Sequence, residues 1–450
     1  MAFEITDEFL ENLVGLIYEN NDLEIKKLFK EVHFADVAEV LDEVSFDEAI
    51  YIIKLLDSEK TSEILTELDE DTREKILENL SAKEIADEVG EMDSDDAADI
   101  IGELSEERQE RVINALEDDE LAADIKELLS YQDNTAGALM AKELVKVYET
   151  WTVAGCMRRI RGQAKEVTRV HSIYVVDKED KLVGRLSLKD LIIAKSDQKI
   201  AEISKAKVDA VNVNEDDEKV AKIMAKYDLE AIPVIDDNNV LLGRITIDDI
   251  VDVLKEEADK DYQMAAGISQ DVEANDTIWE LTKARLPWLI LALFGGFISV
   301  SILGGFETAM DTYPALFFFT PLIAAMAGNV GVQSSAIIVQ GLANDSLKGS
   351  LWRRLFKEVL QSLINGFVLA ALLMSAGMLF LGFKVEIGVT VAISLISVIM
   401  IASIVGTFVP IILDKRGVDP ALATGPFITT SNDIFGILIY FMIAKIILGF

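Results

Sequence analysis

The residues of this sequence that could do chemistry are overwhelmingly carboxylates, because 79 Asp and Glu stand against 42 Lys and Arg. Cys156 is the single cysteine, which excludes a disulfide framework and a thiolate zinc site. The two histidines, His33 and His171, lie far apart in the sequence and offer little basis for a histidine-based triad or a His-rich metal site. No Walker-type phosphate loop is present in the sequence. We therefore expect no enzyme, and the acidic excess indicates either a soluble surface or a module that responds to cations.

Charge and hydrophobic residues are segregated along the chain. Its 450 residues, about three domains at roughly 150 residues each, are half apolar yet carry a net charge of −37. Residues 1–283 have a net charge of −38, and residues 284–450 have a net charge of +1. Such an acidic N-terminal part argues against binding to nucleic acid or to an anionic membrane surface. The N-terminus itself is acidic and amphipathic, which differs from a signal peptide.

Five apolar stretches, each at least as long as the roughly 20 residues that a membrane-spanning helix needs, predict such helices in the C-terminal part. The second and fifth stretches are long and are interrupted by Gly, Pro and polar residues. Such interruptions are tolerated where the backbone lines a wet cavity or is buried in protein. The predicted spans are 287–306, 314–342, 359–383, 387–413 and 419–448.

Basic residues between the spans predict the orientation of the chain. The loop between spans two and three is rich in them, the loop before span five holds Lys415 and Arg416, and the loop after span one holds none. The positive-inside rule then places the N-terminal part in the cytoplasm and the C-terminus on the extracytoplasmic side of the cell membrane. The basic residues of the loop between spans two and three are Lys348, Arg353, Arg354 and Lys357.

Polar residues inside the predicted spans mark a pathway for a polar solute. Asp433 is the carboxylate that the sequence places well inside a span, and a charge there costs about 2.5–3.5 kcal/mol on insertion scales. One alternative is that Asp433 pairs with a basic residue on another helix, but no other predicted span has such a residue near its centre. The pathway interpretation is therefore favoured. Span two adds the polar residues Asn329, Gln333, Ser334 and Ser335.

Residues 33–116 repeat with a period of twelve. Six of the seven repeat units open with Ser or Asp, which are good helix N-caps, and acidic residues cluster in the following turn. Apolar residues fall mostly at unit positions eight, nine and twelve, so each unit predicts a short helix with one apolar stripe. Such a helix cannot bury its stripe alone. Stacked units therefore predict a curved α-solenoid with an acidic outer surface.

A second duplication relates residues 173–192 to residues 232–251, with seven identities in twenty positions. Each copy predicts a strand, a turn, a strand and a helix that is capped by Ser or Thr. The pair resembles tandem CBS domains, some of which bind adenine nucleotides through a Ser/Thr-x-x-Asp at the start of the helix. The same residues are also good helix caps. The resemblance implies that an ATP site would use Ser187, Asp190, Thr246 and Asp249.

An acidic and mostly helical connector follows the second copy and leads into span one. Like charges at helical spacing are destabilising unless they are solvated or neutralised. Either solvent or a bound divalent cation would relieve this repulsion. The carboxylates of the connector are Asp249, Asp252, Glu256, Glu257, Asp259 and Asp261.

An acidic helical solenoid, a CBS pair, a charged connector helix and five spans, in this order, resemble the MgtE family of magnesium channels over essentially the whole chain. The most specific matches are YQDNTAGALM at 131–140, AGNVGVQSS at 327–335 and GVDPALATGPFITTSND at 417–433. The resemblance implies a multidomain membrane protein in four parts. These are an α-solenoid N domain at 1–130, an α/β CBS pair at 131–258 (about 131–200 and 201–258), a plug helix at 259–283 and a five-helix transmembrane domain at 284–450.

The resemblance also implies a homodimer that admits Mg²⁺ to the cytosol through a pore on the dimer axis, and a pore that cytosolic Mg²⁺ closes. Two positions depart from the family pattern: Ala327 stands where the family often has Gly, and Lys260 places a positive charge among the acidic plug positions. The implied pore residues are Asp433, Thr429 through its carbonyl, Gly328, Asn329, Gly331 and Gln333. The implied regulatory Mg²⁺ ligands are Asp95, Asp99, Asp216, Glu218, Asp228, Asp249, Asp252, Glu257 and Asp261.

These residue types suit Mg²⁺, which demands oxygen ligands and keeps several of its waters. One carboxylate per subunit, with carbonyls exposed by Gly and Pro breaks, would suit a largely hydrated ion. In the cytosolic part, we expect repulsion to separate the acidic elements until Mg²⁺ bridges them, which gives negative feedback. Two alternatives stay open: a CBS-regulated transporter of another divalent cation or solute, and a non-transporting membrane sensor. A transporter of anions would favour a basic residue in the pathway.

Overall fold

The computed structural model describes residues 3–165, 167, 169–270, 272, 276–344, 346–347, 350–382, 384–423 and 425–450. Lys348, one of the basic residues that predict orientation, lies outside the described residues. The chain divides into two compact units, Met1–Lys255 and Glu256–Phe450.

The first unit begins with helices whose positions are set largely by the twelve-residue repeat. Each repeat unit supplies its first residue as the N-cap of one helix, so a helix starts every twelve residues. Ser45 and Ser81 form capping boxes with Glu48 and Glu84, which satisfy backbone donors of the first turn. The helices are α1 (Asp7–Tyr18), α2 (Asp22–Phe29), α3 (Phe34–Glu43), α4 (Phe46–Leu55), α5 (Ser58–Glu67), α6 (Glu70–Glu78), α7 (Ala82–Val89), α8 (Ser94–Gly102), α9 (Glu106–Ile113) and α10 (Asp119–Leu128).

The apolar stripe of each repeat unit forms the core of this helical region. Unit positions eight and nine are buried in most units, as Ile52 and Ile53 of α4 and Ile100 and Ile101 of α8 illustrate. Helices two repeat units apart pack together: α3 contacts α5, α5 contacts α7 and α7 contacts α9. The stripes are therefore buried between stacked helices, and the predicted α-solenoid is confirmed.

The duplicated segment folds into two three-stranded sheets with the same topology. In each sheet the first strand pairs parallel with the second, and the second pairs antiparallel with the third. The first sheet holds β1 (Val145–Tyr148), β2 (Ile173–Val176) and β3 (Leu182–Leu186), with α11 (Val153–Gln163), α12 (Leu188–Ile193) and α13 (Ile200–Ile203). The second sheet holds β4 (Val211–Asn212), β5 (Ala231–Ile235) and β6 (Leu241–Thr246), with α14 (Asp217–Tyr227) and α15 (Ile247–Ala266).

Each sheet also receives backbone contacts from outside its own sequence copy. The amides of Gly137 and Ala141 donate to the carbonyl oxygens of Val213 and Arg244, each at 2.8 Å, so residues before β1 join the second sheet. The amide of Lys205 donates to the carbonyl oxygen of Arg185 at 2.8 Å, so a residue before β4 joins the first sheet. This exchange brings the segment around residue 141 next to β6.

The second unit contains five described helices that are long and apolar enough to cross a membrane. A short helix follows the first of them, and short π and 3₁₀ turns follow the third and precede the fifth. The helices are α16 (Ile278–Gly304), the short α17 (Glu307–Thr312), α18 (Ala315–Ala343), α19 (Leu351–Ala376), α20 (Val385–Lys415) and α21 (Gly425–Leu448).

Three features of these helices differ from the sequence prediction. The first span starts at Ile278, where Thr277 caps it, instead of at residue 287. The second span is one continuous helix through Pro321 and the glycines near its middle, so the predicted break in span two is wrong. The third span starts at Leu351, where Ser350 caps it, instead of at residue 359. The basic loop between spans two and three is therefore partly helical, and Glu358 lies inside α19.

Small residues let the helices of the second unit approach closely. The backbone of Gly406 in α20 lies directly against the carbonyl of Gly331 in α18, where a Cβ would clash. The hydroxyls of Ser362 in α19 and Ser403 in α20 share a hydrogen bond of 2.5 Å. These contacts fix α18, α19 and α20 around one core and leave α21 packed against α16, α18 and α20.

Candidate functional site

Asp433 lines a cleft of about 450 Å³ in the second unit, beside α16 and α21. Its neighbours on α21 are Thr429, one turn earlier, and Pro426 in the first turn of the helix. The opposite wall includes Gly295 and Gly296 of α16, which carry no side chain and so leave room beside the carboxylate. The cleft thus offers one carboxylate, hydroxyl groups and open space beside two helices that are long enough to cross a membrane.

Gly328 of α18 is also close to this carboxylate. A Cβ built on Gly328 would lie 3.7 Å from Oδ1 of Asp433 and 3.3 Å from Cγ2 of Thr429. The structure therefore brings together Asp433, Thr429 and Gly328, three of the six residues predicted for the pore.

The other three predicted pore residues lie elsewhere on α18. Gly331 is buried and packs against Asn432 and Ile428, because the lack of a Cβ there admits the Asn432 side chain. Asn329 and Gln333 are exposed and, four residues apart, share one face of α18. Gly331 thus packs against α21 in this structure, and its place in the pathway stays a prediction.

The backbone carbonyl of Thr429, which is predicted to face the ion, belongs to a helix. Thr429 lies inside α21, where helical hydrogen bonds engage the backbone, and its hydroxyl donates to the carbonyl oxygen of Gly425 at 2.9 Å. The continuous α18 likewise engages its carbonyls within the helix. Among the described residues, the cleft is lined by the side-chain oxygens of Asp433, Thr429, Thr430 and Ser299. The role of the Thr429 carbonyl stays a prediction.

Two polar residues of the spans were missed in the sequence. Asn432 is 1% exposed, and neither polar atom of its amide has a hydrogen-bond partner among the described residues. Glu358 of α19 accepts a hydrogen bond of 2.7 Å from the buried Ser334 hydroxyl of α18. Glu358 was missed because it lies one residue before the predicted start of span three. Asn432 could have been found in the sequence as a polar neighbour of Asp433.

The end of α15 packs against the start of α21 within the second unit. Gly267 and Gly425 both have positive φ values, +82° and +52°, which glycine adopts without strain. A Cβ on Gly267 would clash with the ring of Pro426, and a Cβ on Gly425 would clash with the carbonyl of Ala265. The connector helix therefore ends in direct contact with the helix that carries Thr429 and Asp433.

Within the first unit, carboxylates of α8 lie close to the first turn of α15, in one acidic cluster. The pKa of Asp96 is raised to about 7, first by burial and then by the negative charges of Asp249 and Asp93. Burial, followed by the charges of Asp96 and Asp249, raises the pKa of Asp99 to about 7. Burial and the charge of Asp249 also raise the pKa of Asp95. The structure thus brings together the predicted residues Asp95, Asp99 and Asp249.

Asp93, Asp95 and Glu143 form the part of this cluster that is best arranged for a metal ion. One carboxylate oxygen from each lies within 4.8 Å of the others, which suits a shared divalent cation. Glu143 also accepts hydrogen bonds from the amide and hydroxyl of Ser94, at 3.2 Å and 2.8 Å. Asp93 and Glu143 were missed in the sequence. The repeat unit that opens at Asp93 contains four Asp, which was a signal for Asp93. Nothing in the sequence marked Glu143.

The remaining predicted regulatory residues lie outside this cluster. Three of them belong to α14: Asp216 caps its start, Glu218 lies in its first turn and Asp228 caps its end. Glu218 pairs with Lys222 at 2.5 Å. Asp252 of α15 is exposed. In the second unit, Glu257 pairs with Lys260 at 2.7 Å, and Asp261 lies one residue further on.

The two predicted nucleotide-binding motifs have different surroundings. Ser187 is exposed and donates a hydrogen bond of 2.7 Å to Asp190, at the start of α12. Thr246 is 6% exposed and hydrogen bonds to Asp248 and Asp249, so the second motif belongs to the acidic cluster. Burial, the largest effect, raises the pKa of Asp249 to about 6.

Family models match most of the chain in the order of its domains. A model described as a divalent cation transporter matches residues 320–443, and one described as the MgtE intracellular N domain matches residues 32–134. Models of the CBS domain match residues 136–197 and 200–256.

Relatives and solved structures agree with these matches. The magnesium transporter MgtE of Bacillus subtilis is 38% identical over 71% of this chain and 71% of its own length. That of Thermus thermophilus is 36% identical over 72% of each chain. The crystal structure of the cytosolic domain of the Mg²⁺ channel MgtE in complex with ATP is 32% identical, with a TM-score of 0.51 over 54% of this chain and 99% of that domain. With its solenoid, CBS pair and five spans, this chain belongs to the MgtE family of divalent cation transporters.

Proposed function

We propose that this protein carries Mg²⁺ into the cell through its membrane part and that cytosolic Mg²⁺ closes the pathway. The observation that carries the proposal is Asp433, a carboxylate within a membrane-spanning helix that lines a cleft beside Thr429 and Gly328. Placing a carboxylate inside a membrane span costs free energy, so such a residue usually faces a pathway or a charged partner. The relatives named magnesium transporters support Mg²⁺ as the ion.

The chemistry of the cleft suits a hydrated divalent cation. Mg²⁺ dehydrates reluctantly, so one carboxylate with nearby hydroxyls would hold the ion mainly through its waters. We propose a homodimer in which two copies of Asp433 supply a charge of −2, equal and opposite to that of the ion. Entry down a potential of 100 mV stabilises a divalent ion by about 4.6 kcal/mol, so transport needs no nucleotide hydrolysis.

Regulation is proposed to begin at the acidic cluster of α8 and α15. A divalent cation bound among Asp93, Asp95 and Glu143 would neutralise charges that otherwise repel one another across the cluster. The same helix α15 carries Asp249 in its first turn and ends against Gly425 and Pro426, at the start of the helix that bears Asp433. Ordering of α15 by the cation is the proposed means of closing the pathway. The predicted orientation places this cluster in the cytoplasm.

For the nucleotide, we propose that ATP binds at Ser187 and Asp190 and not at Thr246 and Asp249. A phosphate group at the second motif would face the carboxylates of the acidic cluster, whereas Ser187 is exposed beside a helix start. The solved ATP complex of a related cytosolic domain supports nucleotide binding in this part of the chain. Binding of radiolabelled ATP should fall at least tenfold in Ser187→Ala/Asp190→Ala and stay unchanged in Thr246→Val.

The transport proposal is tested by ion uptake into vesicles that contain the purified protein. Uptake of Mg²⁺, Co²⁺, Mn²⁺ and Ca²⁺ is compared between the wild type, Asp433→Asn and Glu386→Gln, an exposed carboxylate at the start of α20. We expect Mg²⁺ uptake in the wild type and the Glu386 variant and none in the Asp433 variant. Equal uptake by all three proteins would contradict the proposal. Uptake of another divalent cation alone would identify a transporter of that ion instead.

A further inference from the structure

Five basic side chains lie at the ends of two neighbouring helices of the second unit. Three belong to the first two turns of α19, and two lie at the end of α20. The same stretches of sequence, 351–358 and 412–416, carry two carboxylates, so the positive charges are in excess by three. Four of the five basic side chains are exposed, and Arg354 is half-buried. The five are Arg353, Arg354, Lys357, Lys415 and Arg416, and the two carboxylates are Glu358 and Asp414.

Close packing between α19 and α20 shows that these two helices are antiparallel. The hydroxyls of Ser362 in α19 and Ser403 in α20 share a hydrogen bond of 2.5 Å. Four residues later in α19, a Cβ built on Gly366 would lie 3.2 Å from Cα of Ile396, which precedes Ser403 in α20. The start of α19 and the end of α20 therefore lie on the same side of the helix bundle.

The two groups of basic residues also lie at about the same level along the helices. Nine residues lead from Ser362 back to Arg353, and nine lead from Ser403 forward to Ile412. At 1.5 Å per residue, each path is about 13.5 Å long. Lys415 follows Ile412 within one further turn. The basic ends of α19 and α20 thus form one continuous surface.

This basic surface has no acidic partner in the described part of the chain. Several basic residues of the first unit do have one, since Arg73 pairs with Glu103 and Lys142 pairs with Glu127. Among the described residues, no ion pair joins a carboxylate to any of the five basic side chains of the surface. Their positive charge is therefore available to an anion from outside the chain.

Two aromatic side chains on α19 lie beside these basic residues. Trp352 is 79% exposed and Phe356 is 70% exposed, and residues four apart share one face of a helix. Arg353 and Lys357 are also four residues apart and share the adjacent face. Tryptophan is enriched where lipid headgroups meet the hydrocarbon, and long basic side chains reach from that depth toward the headgroups. The start of α19 has the pattern of a helix that begins at the membrane–water interface.

We propose that the start of α19 and the end of α20 bind the headgroup of an anionic phospholipid. Guanidinium and ammonium groups such as those of Arg353 and Lys357 form charge-assisted hydrogen bonds with phosphate oxygens. Trp352 and Phe356 would contact the acyl chains below the headgroup. A water-soluble phosphate would meet the same charges but would leave these two aromatic side chains without a partner, so a lipid is the ligand that the surface fits.

The test is quenching of Trp352 fluorescence by brominated phospholipids in vesicles that contain the full-length protein. The other tryptophans, Trp151, Trp279 and Trp288, are replaced by Phe, so that the signal comes from Trp352 alone. Brominated phosphatidylglycerol is compared with brominated phosphatidylcholine that has the same acyl chains. We expect the anionic lipid to have an affinity about fivefold higher or more beside Trp352. High salt should reduce this preference, because it screens exposed charges.

A charge-matched set of variants locates the preference. Arg353→Gln/Lys357→Gln removes two charges beside Trp352 and should bring the two lipid affinities to within about twofold of each other. Arg353→Lys/Lys357→Arg keeps both charges and should keep the preference. The matched control is Lys384→Gln/Lys445→Gln, which removes two exposed charges at the start of α20 and in the last turn of α21. This control should behave as the parent protein.

Three outcomes would overturn the inference. Equal quenching by the two lipids in the parent protein would show that the surface does not select anionic lipid. A preference that survives in Arg353→Gln/Lys357→Gln would place the anionic lipid elsewhere. Weak quenching by both lipids would show that protein, and not lipid, covers Trp352. Because no measurement here involves ion uptake, each of these outcomes leaves the proposed transport of Mg²⁺ untouched.

Discussion

The chain uses carboxylates in two regions that differ in number and surroundings. In the second unit, Asp433 lies in a cleft beside glycines and hydroxyls, on a helix that is mostly apolar after this residue. In the first unit, the buried Asp95 and the half-buried Asp93 and Glu143 form one group, with Asp96, Asp99 and Asp249 close by. A single carboxylate binds a hydrated cation weakly enough for the ion to leave. Several buried carboxylates gain more from one bound cation, because it also removes their mutual repulsion.

The difference suggests a division between transport and sensing. An ion in transit must bind and leave, so its site needs few ligands. A regulatory ion must report its concentration, so its site must bind much better in one conformation than in the other. Four variants or conditions separate these two roles, and the largest effect is expected at the membrane carboxylate.

Removing the charge of Asp433 should abolish transport and leave sensing intact. We expect Asp433→Asn to lower Mg²⁺ uptake into vesicles by at least about 100-fold, because no other carboxylate lines the described cleft. Mg²⁺ should still slow hydrogen exchange at Ser94 and Lys142 in this variant. If uptake persists while only the exchange response is lost, the two regions have the opposite roles.

Removing charges from the acidic cluster should have the converse effect. We expect Asp95→Asn combined with Asp249→Asn to retain uptake and to raise the internal Mg²⁺ concentration needed for half-inhibition by about tenfold or more. Asp47→Asn, an exposed first-turn carboxylate of α4, is the matched control and should behave as the wild type. Unaltered half-inhibition in the double variant would contradict a sensing role for the cluster.

The acidic cluster should make inhibition by Mg²⁺ dependent on pH. The pKa values of Asp96 and Asp99 are raised to about 7, and that of Asp249 to about 6, above the usual value of 3.8. Groups with raised pKa values stabilise the contact between α8 and α15 at low pH, and this contribution is lost as the pH rises through about 7. Protons therefore compete with Mg²⁺, so Mg²⁺ should bind better at higher pH.

The measurement is the half-inhibiting Mg²⁺ concentration between pH 6 and pH 8. We expect it to fall by about tenfold over this range, as expected when one proton is displaced. With EDTA, exchange at Ser94 should be faster at pH 8 than at pH 6, after correction for the intrinsic pH dependence of exchange. A flat profile for both quantities would show that the carboxylates of the acidic cluster do not bind the regulatory ion.

The smallest effect is expected at Asn432, the neighbour of Asp433. Its buried amide lacks a partner among the described residues, so replacing it with an apolar side chain of similar shape should be neutral or stabilising. We expect Asn432→Leu to keep its melting temperature or raise it, and to keep uptake within about twofold of the wild type. A large loss of uptake in a folded variant would move Asn432 into the ion pathway.

The sequence was sufficient for most of the helices and for the duplicated strands because their signals are local. The first residue of each repeat unit caps a helix, and the Ile pairs at positions eight and nine form its buried stripe. The duplicated strands were found for the same reason, since alternation and turn residues specify them within twenty residues. The starts of α16 and α19 were missed because polar and basic residues extend these helices beyond their apolar stretches.

The candidate sites could be predicted only in part. Asp433 stood out because a carboxylate in an apolar stretch is conspicuous, and Asp95 and Asp99 stood out through a family resemblance. The packing of Gly331 against α21 could not be predicted, since the sequence does not say which side of α18 meets α21. Glu143 and Arg244 gave no signal, because what they contact lies about 50 and 150 residues away in the sequence.

What the sequence by itself determined, then, is the set of elements and the segregation of charge: a repeat of capped helices, two copies of a small sheet and five apolar spans. These follow from hydrogen bonds and burial over a few turns. Only the tertiary structure decided that Ser187 and Thr246, equivalent in the duplication, have opposite surroundings. The reason is that α8 packs its carboxylates against the second copy alone, and an electrostatic environment depends on distances in space that the order of residues does not record.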